Sequence, residues 1–177
     1  MEKKHDLPFQ VSGRGKNRPV GGLAGGQKGN DLMDTIHVKC LRPGAVLPAY
    51  GSTGAAGADL TACIEKPLVI EPGQTVFVPT GIAMEVPEHC AGLVYARSGM
   101  ACKQGLAPAN KVGVIDSDYR GEIVVALHNH GAQARTVEPG QRIAQMLITP
   151  VLTPAYEWTE NLTDTDRNAG GFGSTGK

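Results

Sequence analysis

Short apolar runs separated by glycine and proline breaks fill the chain from residue 35 onward. At its start, Ile36, Val38 and Cys40 alternate with polar or charged neighbours, which is the period-2 pattern of a strand with one buried face. Further apolar runs, bounded by breaks such as the Pro-Gly pairs at 43–44, 72–73 and 139–140, predict strands at 74–79, 82–86, 93–96, 123–127 and 143–148. Only residues 98–104 have a helical character. The pattern therefore predicts an all-β sandwich or jelly roll with one short helix.

The N-terminal segment contains seven glycines and shows almost no apolar periodicity. Such a segment cannot bury enough surface to offset the entropy that it loses on ordering. We therefore predict a disordered extension or leader at 1–33, a β domain at 34–166 and a mobile glycine-rich C-terminal lid at 167–177. A natural extension, an upstream mis-start and an added leader are all compatible with the first segment.

Charge is balanced overall but divided unevenly along the 177 residues, which include 17 Lys and Arg against 17 Asp and Glu. Residues 1–32 carry six basic and three acidic residues, a net +3, whereas residues 33–177 carry eleven and fourteen, a net −3. An acidic body argues against nucleic-acid binding. No apolar run reaches about 18 residues and no secretory leader is evident, so we predict no membrane contact and a cytoplasmic enzyme.

Cysteine and histidine positions argue against a protein-built metal site. The cysteines lack CxxC spacing, and we predict buried, unpaired thiols in a reducing compartment for all four: Cys40, Cys63, Cys90 and Cys102. His128 and His130 fall on one face of a predicted strand end, but a third ligand is not evident. We interpret them as surface histidines.

The run GVIDSDYRGE at 113–122 combines two carboxylates, a tyrosine and an arginine where a strand gives way to a turn. Carboxylates on a rigid turn can activate water. Asp116 is the preferred base, because Asp118 could simply bond to its own backbone. From these residues alone, an ordinary Asp-rich hairpin turn is an equal alternative, and Arg120 and Glu122 are interpreted first as cross-strand or subunit partners.

A candidate anion site occurs at 96–101, in the segment ARSGMA. Ser98 and Gly99 would begin the short helix, so that backbone N–H groups and the positive helix end face an anion, with Arg97 as a further donor. The alternative is that Ser98 is an ordinary helix N-cap. The segment RNAGGFGSTG at 167–176 contains a GxGxxG pattern, but no strand precedes it and no helix can follow, which excludes a dinucleotide fold.

Together with AGADL at 56–60 and GQRIAQM at 140–146, these three segments resemble, in order and spacing, the five motifs of the trimeric dUTP pyrophosphatases (dUTPases). The resemblance runs from about residue 35 to the C-terminus. It implies a distorted jelly roll (the β-clip, dUTPase-like fold) and a Mg²⁺-dependent homotrimer with shared active sites. It also implies hydrolysis of dUTP to dUMP and pyrophosphate, which limits uracil incorporation into DNA and supplies dUMP for thymidylate synthesis.

The resemblance further implies residue roles. Asp116 activates the attacking water, Tyr119 packs under the sugar and excludes a 2′-hydroxyl, and Asp59 supports the site. Mg²⁺ has no direct protein ligand and is held by the triphosphate and water. Phosphate contacts come from Arg97, Ser98, Gly99 and Gln145. Backbone groups within a hairpin at 110–116 read the uracil edge, at Asn110, Gly113, Val114 and Ile115. The C-terminal segment closes over the substrate through Arg167, Phe172, Gly173, Ser174 and Thr175, with Phe172 stacked on uracil.

Several interpretations stay open at this stage. Tyr119 is equally compatible with a core aromatic, Asp59 with a residue that stabilises a small-residue turn, and Arg142 with a salt bridge within the chain or between subunits. Asn168 stands where the family often has glycine. The alternative functions are a dCTP deaminase of the same superfamily, whose glutamate environment GVIDSDYRGE does not resemble, and a catalytically silent dUTPase-like binding module, which has no chemical reason to retain five motifs.

Overall fold

The computed structural model describes residues 35–171, so the predictions for 1–33 and for 172–177 lie outside it. Within the described range the chain forms twelve strands and one short helix. In chain order these are β1 (Val38–Cys40), β2 (Ala49–Tyr50), β3 (Ala58–Thr61), β4 (Leu68–Ile70), β5 (Thr75–Pro79), β6 (Ile82–Met84), β7 (Cys90–Tyr95), α1 (Ser98–Gln104), β8 (Leu106–Pro108), β9 (Gly113–Ile115), β10 (Val124–Asn129), β11 (Arg135–Val137) and β12 (Arg142–Pro150).

The strands form two main sheets, and their pairings are antiparallel. The larger sheet has the order β2-β3-β12-β7-β9, and the smaller one has the order β5-β10-β8. Two further pairs, β1-β6 and β4-β11, accompany them. The long strand β12 lies at the centre of the larger sheet, between β3 and β7. An all-β architecture with one short helix confirms the predicted class.

Apolar side chains from both sheets share one core. On β10 the buried Val125 and Leu127 alternate with Val124 and Ala126, as expected for a strand with a single buried face. The largest fully buried apolar side chains are Leu60, Ile70, Val78, Ile82, Leu106, Ile123, Leu127, Val137 and Ile143. Burial of each such side chain contributes about 1.5–3 kcal/mol, so the strand ends that carry the polar groups described below rest on a rigid base.

Glycines with positive φ make the tight turns between strands. Gly73 and Gly140, the second residues of two Pro-Gly pairs, have φ of 73° and 75°, a region that residues with a Cβ rarely adopt. Gly81, between β5 and β6, has φ of 72°, and a Cβ added there would lie 2.7 Å from the sulfur of Cys63. The breaks predicted at these Pro-Gly pairs are confirmed.

Six of the strands correspond to the apolar runs of the sequence, and α1 spans the predicted residues. The other six strands have two to four residues each, which is too short for an alternation of apolar and polar positions to be recognised. The four cysteines are free, and Cys63 and Cys90 are buried as predicted. The prediction of burial is wrong for Cys40, on the short pair β1-β6, and for Cys102, on the outer side of α1, whose buried residue is Met100.

Candidate active site

One carboxylate and two guanidinium groups meet beside the larger sheet. Arg97 donates from Nε to Asp59 Oδ1 at 2.6 Å and from Nη2 to Oδ2 at 3.4 Å. Arg142 donates from Nη1 to Asp59 Oδ2 at 3.0 Å. The Asp59 side chain is 14% exposed, against 25% for Arg97 and 58% for Arg142. Two cations on one carboxylate leave a net charge of +1, which favours binding of an anion.

Strand β12 brings these residues together. Gln145 lies opposite Asp59 of β3 on one side and opposite Tyr95 of β7 on the other, so the first, second and fourth motifs converge there. Asp59 is therefore a strand residue, and its interpretation as a stabiliser of a small-residue turn is wrong. Arg142 makes its ion pair within the chain, which settles the choice that the sequence left open in favour of the intramolecular contact.

A β-bulge in β12 determines where Arg142 points. The register against β3 shifts between Arg142 and Ala144, and Ile143 and Ala144 are both buried although they are consecutive. Successive side chains of a regular strand point to opposite faces, and an extra residue reverses that alternation. Arg142 consequently emerges on the exposed side, towards Asp59.

The start of α1 lies next to this cluster. Arg97 occupies the N-cap position with extended φ and ψ of −83° and 132°, and no side chain caps the helix. The interpretation of Ser98 as an N-cap is therefore wrong, and its role as the first helical residue is confirmed. Ser98 and Gly99 are exposed, and a Cβ added at Gly99 would meet nothing within 4 Å. Open space thus faces the first backbone N–H groups of the helix.

Gln145 forms part of the floor of an adjoining cavity of about 630 Å³. Its Nε2 donates to the carbonyl oxygen of Ala96 at 2.9 Å, which ties β12 to the residue before Arg97. Gly57 faces the same amide, because a Cβ there would lie 2.9 Å from Gln145 Oε1. The other lining residues are Ala55, Ala56, Tyr95, Lys111 and Leu147. Lys111 is a cation at this cavity that the sequence interpretation missed, and nothing in the local pattern distinguished it.

The uracil-reading segment predicted at 110–116 does not fold as a hairpin. Strand β8, before it, pairs with β10, whereas β9 pairs with β7 and places Gly113 opposite Val94. The reason is that β8 and β9 join different sheets, so the segment crosses between them. Asn110 and Val114 are exposed, and Asn110 Nδ2 lies 3.5 Å from the position of a Cβ built on Gly113.

The carboxylate turn follows β9. The carbonyl oxygen of Asp116 accepts the N–H of Tyr119 at 3.2 Å, and Arg120 Nη1 donates to the carbonyl oxygens of Ser117 at 2.7 Å and Tyr119 at 2.9 Å. Asp116 is exposed and forms no ion pair among residues 35–171. Asp118 instead lines a separate cavity together with Ser117 and Arg120.

Tyr119 is 44% exposed, which excludes the core-aromatic interpretation. Its Oη donates to the carbonyl oxygen of Glu122 at 3.1 Å. The ring lies against Gly121, where a Cβ would come 2.6 Å from Tyr119 Cζ. Glu122 itself turns away to Arg42 and to the N–H of Gly81, so it is a structural partner within the chain. The ring of Tyr119 is thus fixed with an open face.

The carboxylate turn and the arginine cluster lie at opposite ends of β7. Ile115, which precedes Asp116, pairs with Gly92, whereas Arg97 follows five extended residues later. At about 3.3 Å per residue the separation along the strand is about 16 Å. This exceeds the combined span of an arginine and an aspartate side chain. One chain therefore does not bring Asp116 to Arg97.

The last described residues form an exposed arm. Arg167 donates from Nε to the carbonyl oxygen of Gly170 at 2.8 Å. Asn168 has φ of 40°, a left-handed conformation that asparagine tolerates better than most residues other than glycine. The departure from the family's glycine therefore retains the backbone shape. The predicted contacts of Phe172, Gly173, Ser174 and Thr175 lie outside the described residues.

His128 and His130 form a pair at the end of β10, with ring centroids 4.3 Å apart. His128 Nδ1 lies 2.8 Å from the hydroxyl of Thr75. Desolvation, followed by the charges of Lys111 and His128, lowers the pKa of His130. Among residues 35–171, no group of three or more His, Cys, Asp or Glu side chains is arranged to hold a metal ion, and no helix there is long and apolar enough to cross a membrane.

Fold and site together define an antiparallel all-β protein with a cationic anion-binding cluster and a separate carboxylate turn. The family model described as dUTPase matches residues 44–176. The chain is 54% identical over 131 residues to the deoxyuridine 5′-triphosphate nucleotidohydrolase of Desulfitobacterium hafniense, covering 73% of this chain and 87% of that one. It is 46% identical over 148 residues to the enzyme of the same name from Bordetella pertussis, covering 82% and 99%.

A solved structure supports the same assignment. The dUTPase of Staphylococcus bacteriophage 80alpha, determined with dUpNHpp, superimposes with a TM-score of 0.75 at 26% identity, over 81% of this chain and 99% of that one. The chain belongs to the dUTPase family. The predicted family and its jelly-roll-like fold are thereby confirmed.

Proposed function

We propose that the chain hydrolyses dUTP to dUMP and pyrophosphate, and so limits uracil incorporation into DNA while supplying dUMP for thymidylate synthesis. The observation that carries this conclusion is the convergence of Asp59, Arg97 and Gln145 in a chain that matches the dUTPase family over 44–176. Attack of water at phosphorus depends mainly on positioning and charge neutralisation. A net-positive cluster beside an uncapped helix start meets both needs for a triphosphate.

Phosphate contacts are assigned to four residues at this cluster. Arg97 supplies guanidinium donors, Ser98 and Gly99 supply backbone N–H groups at the start of α1, and Gln145 supplies its side-chain amide. Support comes from the open space at Gly99 and from the position of Gln145 in the floor of the cavity. Asp59 holds the arginines in place.

The base, sugar and water are assigned to the segment around β9. Backbone groups of Asn110, Gly113, Val114 and Ile115 would read the uracil edge, and the open ring face of Tyr119 would support the deoxyribose. Asp116 would take the proton from the attacking water. Its exposure and its freedom from ion pairs in the described range support this assignment over Asp118.

Mg²⁺ would be carried by the triphosphate and by water. Both oxygens of Asp59, the carboxylate closest to the cluster, accept hydrogen bonds from arginine, so this group suits a water-mediated contact better than direct coordination. When bound, Mg²⁺ neutralises phosphate charge and fixes the geometry of the chain of phosphates. The residues named above do the remaining work of orienting the substrate.

A homotrimer with shared active sites accounts for the separation of Asp116 from Arg97. Each site would take its arginine cluster from one subunit and its carboxylate turn from another. The arm after β12 supports assembly, because large apolar side chains on it are almost wholly exposed in the single chain: Leu152 at 95%, Tyr156 at 94%, Trp158 at 104% and Leu162 at 86%. Exposure on this scale marks an interaction surface. Such an arm would deliver Arg167 and Phe172 to a neighbouring site, and four free thiols suit the reducing cytoplasm.

A substrate panel tests the proposed function. The purified protein is incubated with Mg²⁺ and dUTP, dTTP, dCTP or UTP, and pyrophosphate, ammonia and the nucleotide product are followed. We expect strong preference for dUTP, because the β9 segment rejects the 5-methyl and 4-amino groups and Tyr119 rejects the 2′-hydroxyl. Turnover of dCTP with release of ammonia would identify a deaminase instead, and no turnover of any nucleotide would indicate a silent binding module.

A further inference from the structure

The β-bulge in β12 places a second arginine on the carboxylate that holds Arg97. We propose that Arg142 is a positioning residue of the phosphate site, which acts through Asp59 on the guanidinium of Arg97. The proposal rests on the proposed function, in which Arg97 binds phosphate. Arg142 was not among the residues to which the family resemblance gave a role.

The two oxygens of Asp59 are divided unequally between the arginines. Arg97 Nε lies 2.6 Å from Oδ1, but Arg97 Nη2 is 3.4 Å from Oδ2, which Arg142 Nη1 approaches to 3.0 Å. A hydrogen bond of 3.4 Å is weak. Because Arg142 occupies Oδ2, Arg97 makes one strong contact instead of a closed two-point fork. The terminal nitrogens of Arg97 then stay available for phosphate oxygens.

Charge points the same way. With Arg142 present, the three side chains carry +1; without it, Arg97 and Asp59 form a neutral pair. A neutral pair attracts a triphosphate less strongly, and a carboxylate freed at Oδ2 would compete with phosphate for the fork of Arg97. Arg142 thus both adds a cation and diverts the carboxylate.

The bulge is the structural means of delivering Arg142. In a regular ladder Gln145 opposite Asp59 would place residue 142 on the same face as Ala144, which is fully buried. An arginine there would be buried without a partner, which is strongly unfavourable. The extra residue at 143 costs one regular pairing and turns Arg142 to the face of Asp59 and Gln145.

Steady-state kinetics of Arg142→Gln and Arg142→Lys test the proposal. We expect Arg142→Gln to raise KM for dUTP about tenfold with kcat changed by less than about threefold, because it weakens ground-state phosphate binding. Arg142→Lys keeps the cation and should recover part of the loss. The matched control is Arg42→Gln, since Arg42 is also a half-exposed arginine paired with a partly buried carboxylate, Glu122. It should leave KM unchanged.

A double-mutant cycle separates positioning from direct contact. In an Asp59→Asn background, where the carboxylate charge is gone, Arg142→Gln should raise KM by less than about twofold. An equal tenfold effect in that background would overturn the proposal, because Arg142 would then act without Asp59. A fall in melting temperature with unchanged KM would also overturn it, because the role would be structural only. Failure of the unmodified protein to hydrolyse dUTP would instead refute the proposed function.

Discussion

Mixing two inactive variants tests whether each active site is built from two chains. The variants are Arg97→Ala, which removes the phosphate donor, and Asp116→Asn, which removes the proton acceptor. Asp116 follows a residue paired with Gly92, and Arg97 lies five extended residues further along the same strand. The resulting separation of about 16 Å is far beyond hydrogen-bond reach. A single chain that carries both groups therefore cannot bring them to one phosphorus atom.

The expected recovery follows from symmetry. In a cyclic trimer, each site takes Arg97 from one chain and Asp116 from its neighbour. When the variants are mixed in equal amounts and associate at random, each position has an even chance of supplying an intact group. Both groups are then intact at about one quarter of the sites. With a fraction p of one variant, activity should follow p(1−p), with its maximum at equal amounts.

The assay is pyrophosphate release from dUTP after subunit exchange, with each variant alone as a background. Native mass spectrometry of chains with tags of different mass reports the exchange independently of activity. Recovery of about a quarter of the unmodified activity per site would support the shared site. Confirmed mixed trimers whose activity does not exceed the sum of the two backgrounds would refute the argument, and each chain would then have to complete its own site.

Three further changes give distinct outcomes. Asp116→Asn should lower turnover by about 10²–10⁴-fold with little change in KM, whereas Asp118→Asn should have a small effect; kinetics with the opposite order would make Asp118 the base. Gly81→Ala should destabilise the fold by about 1–3 kcal/mol in urea unfolding, because the residue has φ of 72° and the new methyl would lie 2.7 Å from the sulfur of Cys63; an unchanged midpoint would contradict this. Removal of residues 168–177 should preserve the melting temperature, since the last strand ends at Pro150, and lower kcat/KM steeply; a lost melting transition would show that the segment supports the core.

Periodicity predicted the strands whose two faces differ in environment. Strand β10 alternates cleanly between buried and outward positions, so its sequence identified it. Strands β8 and β9 have three residues each, and no alternation can be recognised over that length. The same shortness produced the wrong hairpin at 110–116, because the choice of sheet for each strand depends on long-range pairing with β7 and β10. Local sequence carries little information about such pairing.

Residue types and motif order predicted the members of the site better than their arrangement. Asp59, Arg97 and Gln145 do lie together, but the role of Arg142 depended on a bulge that moves it from one face of β12 to the other. Two consecutive apolar residues, Ile143 and Ala144, were the available signal. They were compatible with a continuous buried strand as much as with a bulge, so the ion pair with Asp59 became visible only in the three-dimensional arrangement.

The electrostatics of the two half-sites explain why a shared site is physically reasonable. Arg97 and Arg142 are held apart from mutual repulsion by Asp59 within one chain, so the cluster is preorganised before substrate arrives. Asp116, in contrast, projects from an exposed turn that has no cation beside it among the ion pairs of residues 35–171. If both groups were adjacent in one folded chain, the carboxylate would pair with a guanidinium and lose its strength as a base. Placing the base on a neighbouring subunit leaves the arginines free for phosphate, and assembly then brings the base to water at the phosphorus atom.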